Sequence, residues 1–353
     1  MTDRILDISD RPARLTARGG LLVIDLAKSW GASSHCEAPA ATPAPGDGSP
    51  VARDPESGLR ARDSQSQSIP FADIAVLITS HPQISFTQAV LAGLAAAGGM
   101  FIVSDERHLP AAMLLPLSTH STQTERFAQQ AAVSLPTRKR TWQQIVQAKL
   151  RAQGRLLEEV TGKDGGLDLL AGKVRSGDPD NLEAQAARIY WQALFGEDNP
   201  ASPEQVFRRD REGGGVNPHL NYGYAVLRAV VARALCGAGL HPSLGIHHHN
   251  RYDTFCLADD LMEPFRPLVD RVVAKLPRDG VTPASPPAAQ LDKDAKKAIL
   301  EGLLVRYTGD GESRTLFDWV SRSASSLAAI IEERSEKLEI PLLVISEPPV
   351  SDP

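Results

Sequence analysis

The hydrophobic period of the chain changes near Thr122, and that change constrains the fold more than any single motif does. Before it, segments such as ILDI, ARLTA, LLVIDL and DIAVLITS are short, alternating or continuously apolar, and separated by Asp, Pro and Gly-Gly. That is the pattern of strands, the first three reading as hairpins. FTQAVLAGLAAAGG reads as a helix stopped at Gly98-Gly99, with MFIVSD as a further strand. After Thr122, long stretches of helical spacing run to about Lys337 between Gly, Pro and Asp turns. The expected class is α+β: a β-rich N-terminal domain over residues 1–118, followed by a larger all-α domain over 119–353. Residues 31–70 carry six prolines and no hydrophobic period. Too little apolar area is available there to offset the entropy of ordering, so the run is expected to be a disordered insertion. IPLLVI is too short to assign, and SEPPVSDP is expected to fray.

No apolar run reaches the roughly 18 to 20 residues of a membrane span, and the charged start MTDRILDISDR has no signal-peptide core. The expectation is a cytoplasmic protein without a membrane partner. Cys36, Cys236 and Cys256 are too scattered for a disulfide framework or a CxxC zinc site. With 38 basic and 43 acidic residues the net charge is -5, so a surface for nucleic acid has to be local. One stretch offers it: Arg126 to Leu157 holds seven Lys or Arg and no acid. Arg138, Lys139, Arg140, Lys149, Arg151 and Arg155 are the candidate phosphate contacts, against the alternative of a solvated helix face.

Three helical segments put ionisable residues where the apolar spacing predicts burial. In GDPDNLEAQAARIYWQALFG, Glu183 shares a stripe with Ala187, Tyr190 and Leu194, and a buried carboxylate is costly unless paired, protonated or bound to a cation. The alternative is a capping box with Asp180. In NPHLNYGYAVLRAVVARALCGAG, Asn217 is expected to cap a core helix of about nineteen residues whose Asn221, Tyr222 and Tyr224 make hydrogen-bonded packing. In HPSLGIHHHNRYDTFCLADDLMEPFRPLVDRVV, Pro264 should bend a helix carrying Asp260 and Glu263, three residues apart on one face. These two carboxylates near His247, His248 and His249 could hold a divalent cation, whereas a surface pair of Glu263 with Arg266 is the bland alternative. Adjacent histidines cannot all converge on one ion, and no HExxH spacing supports zinc. Imidazole with carboxylates and no thiolate favours Mg²⁺ or Mn²⁺.

Together, Glu183 before Ala186-Ala187-Arg188, His248 ending Gly245-Ile246-His247-His248, and Asp260-Leu261-Met262-Glu263-Pro264-Phe265-Arg266-Pro267 resemble the CRISPR-associated spacer-acquisition endonuclease and integrase family called Cas one. Members from type II systems are the most similar. The resemblance covers nearly the whole chain outside residues 31–70. It implies a β domain joined to an α domain, and a homodimer assembled with a small dimeric partner, Cas two. It also implies double-stranded DNA as substrate, both the spacer precursor and the CRISPR repeat. Glu183, His248 and Glu263 would bind Mg²⁺ or Mn²⁺ and carry catalysis, the 3′-hydroxyl of the incoming fragment attacking a phosphodiester. Asp260 would support them from behind or serve as an occasional ligand. Two alternatives remain: a DNA-binding scaffold with a vestigial metal site, and a general metal-dependent nuclease.

Overall fold

A computed structural model describes residues 4–9, 11–26, 65–104, 110–115, 120–196, 207, 209–277 and 291–345. The N-terminal part forms two four-stranded sheets. The first has the order β1 (Arg4–Ile8), β5 (Ile74–Thr79), β7 (Met100–Ser104), β8 (Pro110–Leu114), with the first three strands parallel and β8 antiparallel. The second has the order β4 (Gln65–Pro70), β3 (Leu21–Leu26), β2 (Ala13–Arg18), β6 (Ser85–Phe86). Strands β2 and β3 form the expected hairpin across Gly19-Gly20, but ILDI pairs in parallel with β5 instead of joining it. Every residue of β5 is buried, because both faces of the first sheet are covered. Leu77 points to a small core shared with the second sheet and α1 (Gln88–Ala96), whereas Val76 and Ile78 join the large core of the helical part.

Residues 65–70 correct the expected insertion: they pair along all of β3 as an edge strand. QSQSIP has no apolar alternation because most of its side chains with described burial are exposed. The rest of that insertion, the expected boundary near residue 118, Cys36 and the tail SEPPVSDP lie outside the described residues.

The helical part is built on α2 (Gln123–Ala132), α3 (Leu135–Thr161), α4 (Leu167–Lys173), α5 (Leu182–Phe195), α6 (Asn217–Gly237), α7 (Cys256–Met262) and α8 (Arg266–Ala274), with later helices Lys293–Leu303 and Leu316–Ile331. Ser134 caps α3, and Gly162 ends it with φ 77°, the left-handed conformation that glycine adopts freely. α6 is buried along most of its length, as a central helix should be. Its N-cap is Val216, so Asn217 is its first helical residue and ties down the preceding loop through Gly214 and Asp210. The all-α expectation needs one amendment. Arg306–Gly309, Glu312–Thr315 and Val344–Ile345 form a three-stranded antiparallel sheet, the last strand coming from the unassigned IPLLVI. Tyr222 donates to Asp7 at 2.6 Å and Arg233 to the Gly98 carbonyl at 2.8 Å, fastening α6 to the first sheet. Among the described residues no helix is long and apolar enough to cross a membrane.

Candidate active site

The carboxylates come together because three helix ends meet the middle of α3. Glu183 sits in the first turn of α5, where the helix dipole favours an acid. The capping box with Asp180 does not form. Asp180 pairs with Arg175, and Asp178 instead accepts the backbone N–H groups of Leu182 and Glu183 at 2.9 and 3.0 Å. Pro264 interrupts the next helix as expected: α7 ends at Met262, one 3₁₀ turn spans Glu263–Phe265, and α8 begins at Arg266. Glu263 lies in that turn, 6% exposed, against α3.

Between the two glutamates sits Lys149. Its Nζ lies 2.5 Å from Glu183 Oε1 and 2.6 Å from Glu263 Oε2, with the side chain 11% exposed. Lys149 is thus not an outward phosphate contact but a buried counter-ion. Burial alone would lower its pKa, and the charges of Glu263 and Glu183 outweigh that and raise it. Arg266 Nε bonds Glu263 Oε1 at 2.9 Å, so the pair weighed as a surface alternative does form, but largely buried. Burial pushes the Glu263 carboxyl up, but Arg266 and Lys149 overcome it and hold it at about 2. Glu263 Oε2 has Lys149 Nζ at 2.6 Å as its close partner.

The GIHHHN loop is shaped by Asp260, which is fully buried. Its Oδ2 accepts the N–H groups of Ile246 and His247 at 2.6 and 2.8 Å, and its Oδ1 accepts that of His248 at 3.2 Å. Oδ1 also takes the His248 Nδ1 proton at 2.5 Å. That hydrogen bond, working against burial, raises the His248 pKa. Such a bond fixes the ring and leaves Nε2 as the free nitrogen, the arrangement typical of metal-binding histidines. Asp260 therefore orients His248 and has no oxygen to spare as a ligand. Gly245 is required for this fold-back, since a Cβ there would overlap the His248 carbonyl oxygen. His247 turns away to stack flat on Trp142, centroids 4.1 Å apart, and burial lowers its pKa. His249 meets Arg138, whose guanidinium also bonds the Ile246 carbonyl at 3.2 Å.

Among the described residues no three His, Cys, Asp or Glu side chains stand close enough to hold an ion in this arrangement. The donors nevertheless suit a hard divalent cation: two carboxylates and one imidazole with its Nδ1 committed, around a point where Lys149 already holds positive charge. Of the other basic candidates, Arg151 pairs with Asp168 at 3.7 Å and Arg155 with Glu158 at 2.9 Å. Exposed Lys139 and Arg140 have no acidic partner among the described residues.

Known proteins share this architecture. A sequence model of the family described as CRISPR associated protein Cas1 matches residues 51–303. A CRISPR-associated endonuclease Cas1 from Neisseria meningitidis serogroup C is 35% identical over 287 residues, covering 80% of this chain and 90% of the relative. Among solved structures, a casposase bound to integration product superposes with a TM-score of 0.70 at 18% identity, covering 95% of this chain and 92% of that one. A Cas6-RT-Cas1–Cas2 complex gives 0.65 at 16% identity, covering 95% of this chain and 35% of that one. At those identities the two structures speak to the fold alone.

Proposed function

Because the chain belongs to the CRISPR associated protein Cas1 family, we propose that it is a cytoplasmic DNA endonuclease and integrase that inserts short DNA fragments into a CRISPR array. The observation that carries this is the pair Glu183 and Glu263, gathered around one cation beside a histidine whose Nδ1 is already committed. Glu183, Glu263 and His248 Nε2 would hold Mg²⁺ or Mn²⁺. When bound, such an ion polarises the scissile phosphate and offsets its developing charge.

The remaining work falls to the chain. In strand transfer the 3′-hydroxyl of the incoming fragment gives up its proton as its oxygen bonds to phosphorus, the old P–O bond breaks, and the leaving 3′-oxygen takes up a proton in its place. Asp260 keeps His248 in one orientation through that exchange. Arg266 holds Glu263 as an anion. The substrate is double-stranded DNA, and the working assembly is a homodimer with a small dimeric partner of the Cas2 kind. The similarity to the Cas1 of a Cas1–Cas2 complex supports that assembly through the fold alone.

The test is strand transfer of a duplex bearing 3′-hydroxyl ends into a repeat. Glu183→Ala and His248→Ala should each lose about a thousandfold in rate while remaining folded. Full activity in either variant contradicts the proposal, and equal activity on repeat and random duplex favours a general nuclease. The vestigial reading draws on Lys149 already neutralising the carboxylates. Calorimetric Mn²⁺ binding that Glu263→Ala abolishes would exclude it.

A further inference from the structure

Tyr224 of α6 carries more than a packing contact. It is buried, and its hydroxyl donates to Asp270, which also accepts from the Tyr190 hydroxyl at 2.7 Å. That bond anchors the tip of the side chain, while the ring face carries the Arg266 guanidinium, whose Cζ lies 4.6 Å from the ring centroid. A cation over an aromatic face is attracted by the ring quadrupole, more strongly where water is excluded. Arg266 itself is largely buried, and its Nε donates to Glu263 Oε1 at 2.9 Å. The guanidinium thus lies between a ring and a carboxylate. Its planar fork has to keep one orientation to bond one carboxylate oxygen, and a long flexible stem does not supply that orientation by itself. Arg209 stands farther from the same ring, at 5.5 Å, and its side chain bonds Asn217 and Asn221. With Oε1 tied to Arg266, Glu263 directs Oε2 at Lys149 Nζ, 2.6 Å away, the point it shares with Glu183. Tyr190 supplies the contrast. It donates to the same Asp270 carboxylate, but its ring meets Trp191, with centroids 5.0 Å apart.

We propose that Tyr224 is a positioning residue for the reaction: its ring face seats Arg266, and Arg266 turns Glu263 so that Oε2 faces the ion-binding point beside Glu183. The ring is the working part. Asp270 steadies the hydroxyl, a task that an amide carbonyl at the same position would also perform. The inference rests on the proposed function, in which Glu183, His248 and Glu263 hold a divalent cation.

Calorimetric titration of the full chain with Mn²⁺ tests the platform apart from catalysis. Tyr224→Phe keeps the ring and should bind Mn²⁺ as the wild type does, and so should Tyr190→Phe. Tyr224→pentafluorophenylalanine keeps the shape of the first variant but reverses the ring quadrupole, so Mn²⁺ should bind about tenfold more weakly, the low end of what an orienting partner is worth to a metal site. Tyr224→Met, which fills the space without an aromatic face, should lose as much. Equal Mn²⁺ affinity in the phenylalanine and pentafluorophenylalanine chains would overturn the proposal and leave the metal site standing. So would a tenfold loss already present in Tyr224→Phe or Tyr190→Phe, because the effect would then belong to the hydroxyls on Asp270. A wild-type chain that binds no Mn²⁺ would overturn the proposed metal site and this inference with it.

Discussion

Glu263 and Asp270 lie two helical turns apart, 6% and 1% exposed, and their carboxyls move in opposite directions. Burial pushes both up. At Glu263 the charges of Arg266 and Lys149 reverse the effect and bring the value to about 2. At Asp270 the closest donors are the neutral hydroxyls of Tyr224 and Tyr190, and the value rests at about 6. Depth does not decide whether a carboxylate is kept as an anion; the charge in contact with it does. Glu263 is an anion held by cationic side chains, whereas Asp270 is a lock joining α5, α6 and α8.

The sharpest way to break this contrast is to remove the cation. Lys149→Met leaves Glu183 and Glu263 facing each other, and urea unfolding should show a loss of about 3–5 kcal/mol. Millimolar Mn²⁺ should restore more stability to this variant than to the wild type, because the ion no longer displaces an ammonium. Next, Asp260→Asn should weaken Mn²⁺ binding about 10–100-fold by calorimetry, through the lost hold on His248, whereas Asp270→Asn should leave it unchanged. A smaller effect concerns pH. The Asp270 carboxyl is raised from 3.8 to about 6 in the fold, so between those values the native state binds a proton that the unfolded chain does not. Its contribution is complete below the lower value and is lost as pH rises through the upper one. Relative to Asp270→Asn, the wild type should therefore lose about 2 kcal/mol of unfolding free energy across that window. Smallest is His247→Ala, which removes the stack on Trp142 and should cost about 1 kcal/mol while sparing strand transfer.

Much of this was legible in the sequence, because Glu183, His248 and Glu263 interrupt apolar patterns or sit in motifs whose order is itself a signal. The bend at Pro264 followed from backbone chemistry alone. Lys149 was misassigned because its partners lie 34 and 114 residues away, beyond any local pattern. A signal did exist: Lys149 falls on the same helical stripe as Trp142, Ile145, Val146 and Leu156, all buried, so the reasoning that singled out Glu183 applies to it equally. Strand β4 was hidden by its polar composition, since an edge strand with exposed side chains has no need of an apolar alternation. The tie from Asp270 to Tyr190 and Tyr224 crosses three helices and leaves no trace at short range.

The central claim, that Glu263 is kept as a buried anion in order to serve the chemistry, is tested most directly by single-turnover strand transfer with Glu263→Gln. The amide preserves the shape of the side chain and removes its charge. The expected result is unchanged DNA binding with strand transfer reduced about a thousandfold in Mn²⁺. Wild-type strand transfer by a folded, DNA-bound Glu263→Gln would contradict the account.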